Sequence, residues 1–394
     1  MNIINPATGQ SFTSLKEDNK ASMEAKLALL KKGQQKWREV PIPERLQIIE
    51  RFGELALTNI EDLAEILTKE TGKPITQSRN EINGAMGRIT HLQANAIKWL
   101  TAESMIEDAA TRELITFEAL GVIANISAWN FPYNVGFNVF LYALVGGNAV
   151  CYKPSEYASL TGMKFMELLH KAGIPEDVFQ VVIGKGDVGQ ILLEMPFDGY
   201  FFTGSHQTGV HIAKTVAHKL VPVQLELGGK DPLYVMDDID DVKQAAINAA
   251  EGAFYNNGQS CCAVERIYVH EGIYEDFVQH FVEEVKSYKM GDPMDATTFI
   301  GPVTRAAQLN IIEQQVKDAT NKGAKLILGG KLAELQGYYL LPTVLTEVNH
   351  SMTVMMEESF GPVIGIQKVS SDEEALGLMQ DTSYGLTAAI FSKE

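Results

Sequence analysis

A thiol, a lone carboxylate and three clusters of polar residues at the ends of apolar runs are the side chains of this sequence best suited to chemistry. Cys261 lies in Asn256-Asn257-Gly258-Gln259-Ser260-Cys261-Cys262. The helical spacing ahead of it stops at the Asn/Gly cluster. Cys261 is therefore expected on a loop before a strand, where a thiol can become a nucleophilic thiolate. On composition alone the pair Cys261-Cys262 also reads as two small buried residues. Cys151, inside an apolar run, reads as core. Glu226 closes the alternating stretch Val221 to Leu227, just ahead of Gly228-Gly229, which let backbone or ligand approach closely. A solvated strand carboxylate is the alternative there.

Three further runs end on polar groups: Trp129-Asn130-Phe131-Pro132, Lys153-Pro154-Ser155-Glu156 and Phe202-Thr203-Gly204-Ser205. In open wound sheets ligands collect at the carboxyl ends of strands. Taken singly, each cluster is equally a solvated turn. Lys153 suits phosphate or ribose oxygens. Glu156 suits a ribose diol and repels a 2′-phosphate, which favours NAD over NADP. Gly204-Ser205 opens a helix, and amides at such a terminus suit a pyrophosphate; N-capping by Ser205 explains the same residues. A G-x-G-x-x-G match at Gly184 to Gly189 follows the third strand of its run rather than the first, and is read as a turn that needs glycine. The eight histidines are scattered, without metal-ligand or triad-like pairing, and no G-x-S-x-G occurs. No metal site is expected, and a serine hydrolase is disfavoured.

The elements that must place these groups follow from the apolar periodicity. From about Ala21 to Leu100 it is helical, as in Leu46, Ile49, Phe52 and Leu55, with breaks at Pro41, Pro43 and Gly72-Lys73-Pro74. Thr101 to Glu118 is more polar and ends on the alternating Leu114 to Phe117, the pattern of a hairpin whose edge suits pairing with another subunit. Strands at Gly121 to Ser127, Ala149 to Lys153, Phe179 to Ile183 and Tyr200 to Thr203 then alternate with helices at Val135 to Val145, Tyr157 to Lys171 and Gly189 to Glu194. That alternation predicts a parallel sheet wound with helices. A helix at Thr208 to His218 precedes the Glu226 strand. A second α/β section has helices at Asp240 to Tyr255, Tyr274 to Tyr288 and Ala306 to Asn321. Its strands fall at Ile267 to His270, Lys325 to Leu328 and Leu386 to Phe391.

Length and composition set the outer limits. The 394 residues suffice for two or three domains, and 45% hydrophobic with 21% charged residues is ordinary globular usage. Thirty-three Lys and Arg against 50 Asp and Glu leave a net charge of −17, which opposes binding to nucleic acid or anionic membranes. Three cysteines without ligand spacing point to a reducing compartment. The amino terminus has no basic segment followed by an apolar core, so no secretory signal is expected. Ala119 to Tyr152 carries no charge, but its Asn residues, Pro132 and Gly146-Gly147 suit a buried strand, helix and strand better than a membrane span.

Six spaced motifs together resemble the aldehyde dehydrogenase superfamily over essentially the whole chain. They are WNFP at Trp129 to Pro132, KPSE at Lys153 to Glu156, FTGS at Phe202 to Ser205, LELGGK at Leu225 to Lys230, GQSC at Gly258 to Cys261 and EESFGP at Glu357 to Pro362. The resemblance implies an α/β fold: a wound parallel-sheet dinucleotide-binding domain at 1–100 and 119–226, a catalytic domain at 227–394, and an oligomerisation hairpin at 101–118. It implies that Cys261 attacks the aldehyde, that the Asn130 amide and the Cys261 N–H hold the oxyanion, and that Glu226 activates water against the thioester. Trp129, Lys153, Ser155, Glu156, Gly204 and Ser205 would take the adenosine and phosphate end of NAD, or of NADP. Glu358 and Phe360 would place the nicotinamide ribose and ring, and Tyr133 and Phe137 would line the substrate tunnel. A cytoplasmic homodimer or tetramer acting on a small-molecule aldehyde is the implied form.

Family members continue past the YGL segment at Tyr384 to Leu386, so the resemblance implies a catalytic domain incomplete at its carboxyl end. Two other readings remain: a CoA-acylating thiol enzyme, against which Glu226 argues, and a truncated relative that binds nucleotide without turnover.

Overall fold

The computed structural model describes residues 1–393. Contacts divide the chain into two compact units, Met1–Ile3, Thr13–Leu67 and Ser78–Glu226 forming one, and Ile4–Phe12, Thr68–Gln77 and Leu227–Glu394 the other. A two-stranded sheet of β1 (Asn2–Asn5) and β2 (Gln10–Ser14) precedes four helices. Helix α1 (Lys20–Trp37) opens with a reciprocal cap: the Asn19 side chain accepts from the Ser22 amide, and the Ser22 hydroxyl accepts from the Asn19 amide. In α2 (Ile42–Thr58) the buried Leu46, Ile49, Phe52 and Ala56 follow helical spacing. Helices α3 (Ile60–Thr71) and α4 (Ile75–Leu100) complete the front section. The expected hairpin is β3 (Glu103–Glu107) paired antiparallel with β4 (Arg112–Ile115). All nine strand residues are exposed.

The first unit then alternates β5 (Val122–Ile126), α5 (Pro132–Val145), β6 (Ala149–Lys153), α6 (Ser159–Ala172), β7 (Phe179–Val181), α7 (Gly186–Glu194), β8 (Gly199–Gly204), α8 (His206–Val216) and β9 (Val223–Leu227). The strands lie in the order β7-β6-β5-β8-β9, with β5 parallel to both β6 and β8. The uncharged stretch is thus a buried strand, helix and strand. Among the described residues no helix is long and apolar enough to cross a membrane. Gly173 ends α6 in the left-handed region (φ 118°), where its amide reaches Leu169 and a side chain would be strained. The core centres on α5: the Phe140 ring lies 5.3 to 5.6 Å from those of Phe137, Tyr152, Phe165 and Phe179. Tilted and edge-on packing of such fully buried rings is favourable beyond simple burial.

The second unit contains β10 (Pro232–Val235), α9 (Val242–Phe254), β11 (Arg266–His270), α10 (Tyr274–Ser287), α11 (Ala306–Asn321), β12 (Lys325–Leu328), β13 (Thr343–Thr346), α12 (Thr353–Met356), β14 (Val363–Val369), α13 (Asp372–Gln380) and β15 (Ala389–Phe391). Its six strands run β12-β13-β14-β11-β10-β15, with only β12 antiparallel to its neighbour. Alternate residues feed two cores. Leu233, Val235, Ile267 and Val269 pack with α9 and α10, while Tyr234 and Tyr268 join α11 and α13 on the other face. Strands β10, β13 and β14 are short or interrupted by glycine and polar residues, so they do not stand out in the sequence.

Truncation at the centre of the aromatic cluster tests this account of the first core. Phe140→Ala is expected to cost about 3–5 kcal/mol, and Phe140→Leu clearly less. Denaturant midpoints measure both, and equal midpoints for Phe140→Ala and wild type would show that the cluster does not hold the unit.

Candidate active site

In the first unit, Ile126 lies opposite Lys153 and Phe202, so the residues following β5, β6 and β8 leave the sheet on one edge. Asn130 is buried there, and the Trp129 ring stands 6.3 Å from that of Tyr157 at 72°. Glu81 of α4 accepts the Tyr133 amide at 2.8 Å, placing a buried carboxylate at the start of α5, where the helix dipole favours it. Tyr133 and Phe137, expected to line a tunnel, are instead fully buried in the aromatic core against Phe165.

Lys153 is buried, with its ammonium donating to the Pro154 carbonyl at 3.3 Å. Burial lowers its pKa, while Glu156 and Asp187 pull the other way. Ser155 Oγ donates to Glu156 Oε2 at 3.3 Å. Ser205 is exposed at the N-cap position of α8, yet its Oγ pairs with Thr208 Oγ1 at 2.9 Å and not with a helix amide. A cation, a carboxylate and a helix N-terminus on one sheet edge form a donor set that fits ribose and phosphate groups. Glu226 is an exposed residue of β9. Of the G-x-G-x-x-G glycines, Gly184 is sterically required, since a Cβ there would lie 2.3 Å from Val188 Cγ2.

In the second unit, α9 ends at Phe254 and is followed by three left-handed residues in succession, Asn256 (φ 52°), Asn257 (57°) and Gly258 (67°). Asparagine tolerates this region better than most residues, but a run of three needs outside support. Buried side chains provide it. Gln77 Oε1 accepts the Asn256 amide at 2.9 Å, and Asn257 Nδ2 donates to the Gly301 and Pro302 carbonyls at 2.8 Å. Gln259 Nε2 returns to the Asn256 carbonyl at 3.1 Å, and its Oε1 accepts the Thr304 amide at 2.9 Å. Neither these clamps nor their partners, far apart in sequence, were foreseen.

The loop so held carries Cys261, partly exposed, with its Sγ 3.7 Å from that of the exposed Cys262. The adjacent thiol first, burial second and Asp231 third push the Cys261 pKa up. Cys151 is sealed in β6, and burial pushes it up to about 12.

Three of the six motifs meet in this unit. A Cβ on Gly258 would stand 2.5 Å from the Gly361 carbonyl oxygen, and one on Gly228 would stand 2.0 Å from Glu358 Oε1. Gly258 is required by this approach to backbone and by its positive φ, whereas at Gly228 the Glu358 carboxylate would have to move. Burial and the neighbouring Glu265 push the Glu358 pKa up to about 7, against the pull of the Gly229 amide, Lys230 and Arg305. Phe360 is half-buried with φ 46°. Glu265, absent from every motif, is buried and bonded to Lys230, Ser359 and Phe360.

The aldehyde dehydrogenase family model matches residues 1–394. The chain is 33% identical over 401 residues to 3,6-anhydro-alpha-L-galactose dehydrogenase of Vibrio sp. (strain EJY3), covering 99% of this chain and 82% of that protein. Among solved structures, 3,6-anhydro-L-galactose dehydrogenase in complex with NAP matches with a TM-score of 0.95 at 33% identity, over 100% of this chain and 84% of that one. Indole-3-acetaldehyde dehydrogenase complexed with NAD+ matches with a TM-score of 0.96 at 31% identity, over 100% and 81% respectively. The chain belongs to the aldehyde dehydrogenase family and is an NAD(P)-dependent aldehyde dehydrogenase.

Proposed function

We propose that this enzyme oxidises an aldehyde to the free carboxylate through Cys261, with Glu226 as the water-activating base and NAD as the preferred acceptor. The observation that carries the reading is the Cys261 loop, where two asparagines in the left-handed region and three buried amide side chains hold one partly exposed thiol. Such strain persists where the surroundings over-determine it, as they do at functional sites.

The chemistry follows from the groups. The Cys261 sulfur, on losing its proton, adds to the carbonyl carbon, and the resulting oxyanion accepts from the Asn130 side-chain amide and the Cys261 backbone N–H. Cys262 and burial both push the Cys261 pKa up, so they oppose formation of the thiolate. When bound, NAD(P) supplies the hydride acceptor. Loss of hydride from the tetrahedral carbon leaves a thioester on Cys261. Glu226 takes a proton from water as the oxygen attacks; the C–S bond breaks, the carboxylate leaves and the thiol is restored.

Trp129, Lys153, Ser155 and Glu156, with Gly204 and Ser205, hold the adenosine ribose and phosphates. Glu358 and Phe360 hold the nicotinamide ribose and ring. In this reading residues 1–100 and 119–226 are the dinucleotide domain, and 227–394 the catalytic domain. The 101–118 hairpin joins subunits into a homodimer or tetramer, a role supported by the exposed Met105, Ile106, Leu114 and Ile115. Three free cysteines suit a reducing, cytoplasmic setting.

Three measurements test the roles. Cys261→Ala should lower aldehyde-dependent NADH formation by at least about 10³-fold; an undiminished rate refutes the thiol assignment. Glu226→Gln should keep the first-turnover burst of NADH while the steady rate falls by about 10²- to 10⁴-fold. Loss of the burst would place Glu226 before the thioester. Glu156→Ala should raise the kcat/KM ratio of NADP to NAD by about 10-fold, the loss of one charge repulsion. An unchanged ratio would remove Glu156 from the ribose.

A further inference from the structure

The loop that carries Glu358 and Phe360 is held by a residue outside every motif. Glu265 is 4% exposed. Its Oε2 accepts the Lys230 ammonium at 2.7 Å and the Ser359 amide at 3.0 Å, and its Oε1 accepts the Phe360 amide at 3.0 Å. Lys230 Nζ, with 0% side-chain exposure, also donates to Ser359 Oγ at 3.0 Å. Phe360 sits at φ 46°, a conformation that L-residues with bulky side chains avoid. An ionised, buried acceptor on the amide of a strained residue is the strongest kind of hydrogen bond available to hold it. The Gly228 to Lys230 segment touches the same loop twice more, through the Gly229 amide on Glu358 and the Lys230 ammonium on Ser359. Glu265 also lies four residues beyond Cys261, on the segment that leads from the thiol loop into β11.

We propose that Glu265, with Lys230 as its counter-ion, is a positioning residue that presents Glu358 and Phe360 to the nicotinamide-ribose half of the dinucleotide. The proposal rests on the reading of Glu358 and Phe360 given above. It separates the two halves of the ligand: the adenosine and phosphate groups are assigned to other residues and should not sense the clasp. Positioning is read apart from stability, because loss of the Glu265 carboxylate also leaves the Ser359 and Phe360 amides without their acceptor.

The test is the double variant Lys230→Met/Glu265→Leu, with Glu265→Gln beside it, titrated calorimetrically with NAD and with ADP, which lacks the nicotinamide ribose. Thermal unfolding and steady-state kinetics accompany the titrations. The expected result is a double variant that folds with a lowered melting temperature, binds ADP within about 2-fold and binds NAD at least about 10-fold more weakly, with KM for NAD rising in step. Glu265→Gln keeps the shape and one acceptor oxygen, so it should show the same pattern in smaller measure; it carries the comparison alone if the double variant does not fold. Unchanged NAD affinity beside normal ADP binding overturns the proposal, as does equal weakening of both ligands, which marks a merely structural role. Either result leaves the dinucleotide reading standing. A wild-type protein that fails to bind NAD(P) sinks that reading, and this proposal with it.

Discussion

Burying Lys230 beside Glu265 strips water from two charges, a loss that mutual attraction repays only when the remaining donors and acceptors are also filled. Here they are. The ammonium has Glu265 and Ser359 Oγ; the carboxylate has two backbone amides besides. Arg266, fully buried next to Glu265, donates to the Lys230 carbonyl at 2.9 Å and to the Met379 carbonyl at 2.8 Å near the end of α13, where a cation complements the helix dipole. One cluster of charges therefore ties the start of β10, the start of β11, the Glu358 loop and α13 together. Removing any single member would strand another without a partner, so the arrangement stands or falls as a set.

Around that set, close contact adds to the side-chain hydrogen bonds that hold the thiol loop. Gly228 leaves room for the Glu358 carboxylate, and Gly258 lets the thiol loop approach the Gly361 carbonyl. The same crowding accounts for the electrostatics. Glu358 is pushed up to about 7 because it is buried near Glu265, and the Cys261 thiol is pushed up chiefly by the thiol beside it.

The first unit works by topology instead. A parallel sheet sends every strand end to one edge, so WNFP, KPSE and FTGS arrive together although up to 73 residues separate them, from Trp129 to Phe202. Behind them, the Phe140 cluster and the α1 and α2 contacts supply the rigidity on which a row of polar strand ends depends.

The local signals in the sequence were sufficient for much of this. The strand at Ala149 to Lys153 and the helix at Ala306 to Asn321 are found as expected, because apolar runs bounded by glycine, proline or polar caps are local properties. Helix α8 begins two residues earlier than its apolar pattern, and β13, β14 and α13 had no distinct signature. Family membership, too, is legible in residue order, since motifs record chemistry whatever the packing. What the sequence could not disclose is Glu265, whose partners lie 35 and 94 residues away, or the Gln77, Asn257 and Gln259 clamp on the thiol loop. Nor could it remove Tyr133 and Phe137 from the expected tunnel to the core. Residue types and spacing determined which groups could react; only the tertiary structure decided which buried donors hold them, because burial and hydrogen bonding between distant segments exist only once the chain has folded.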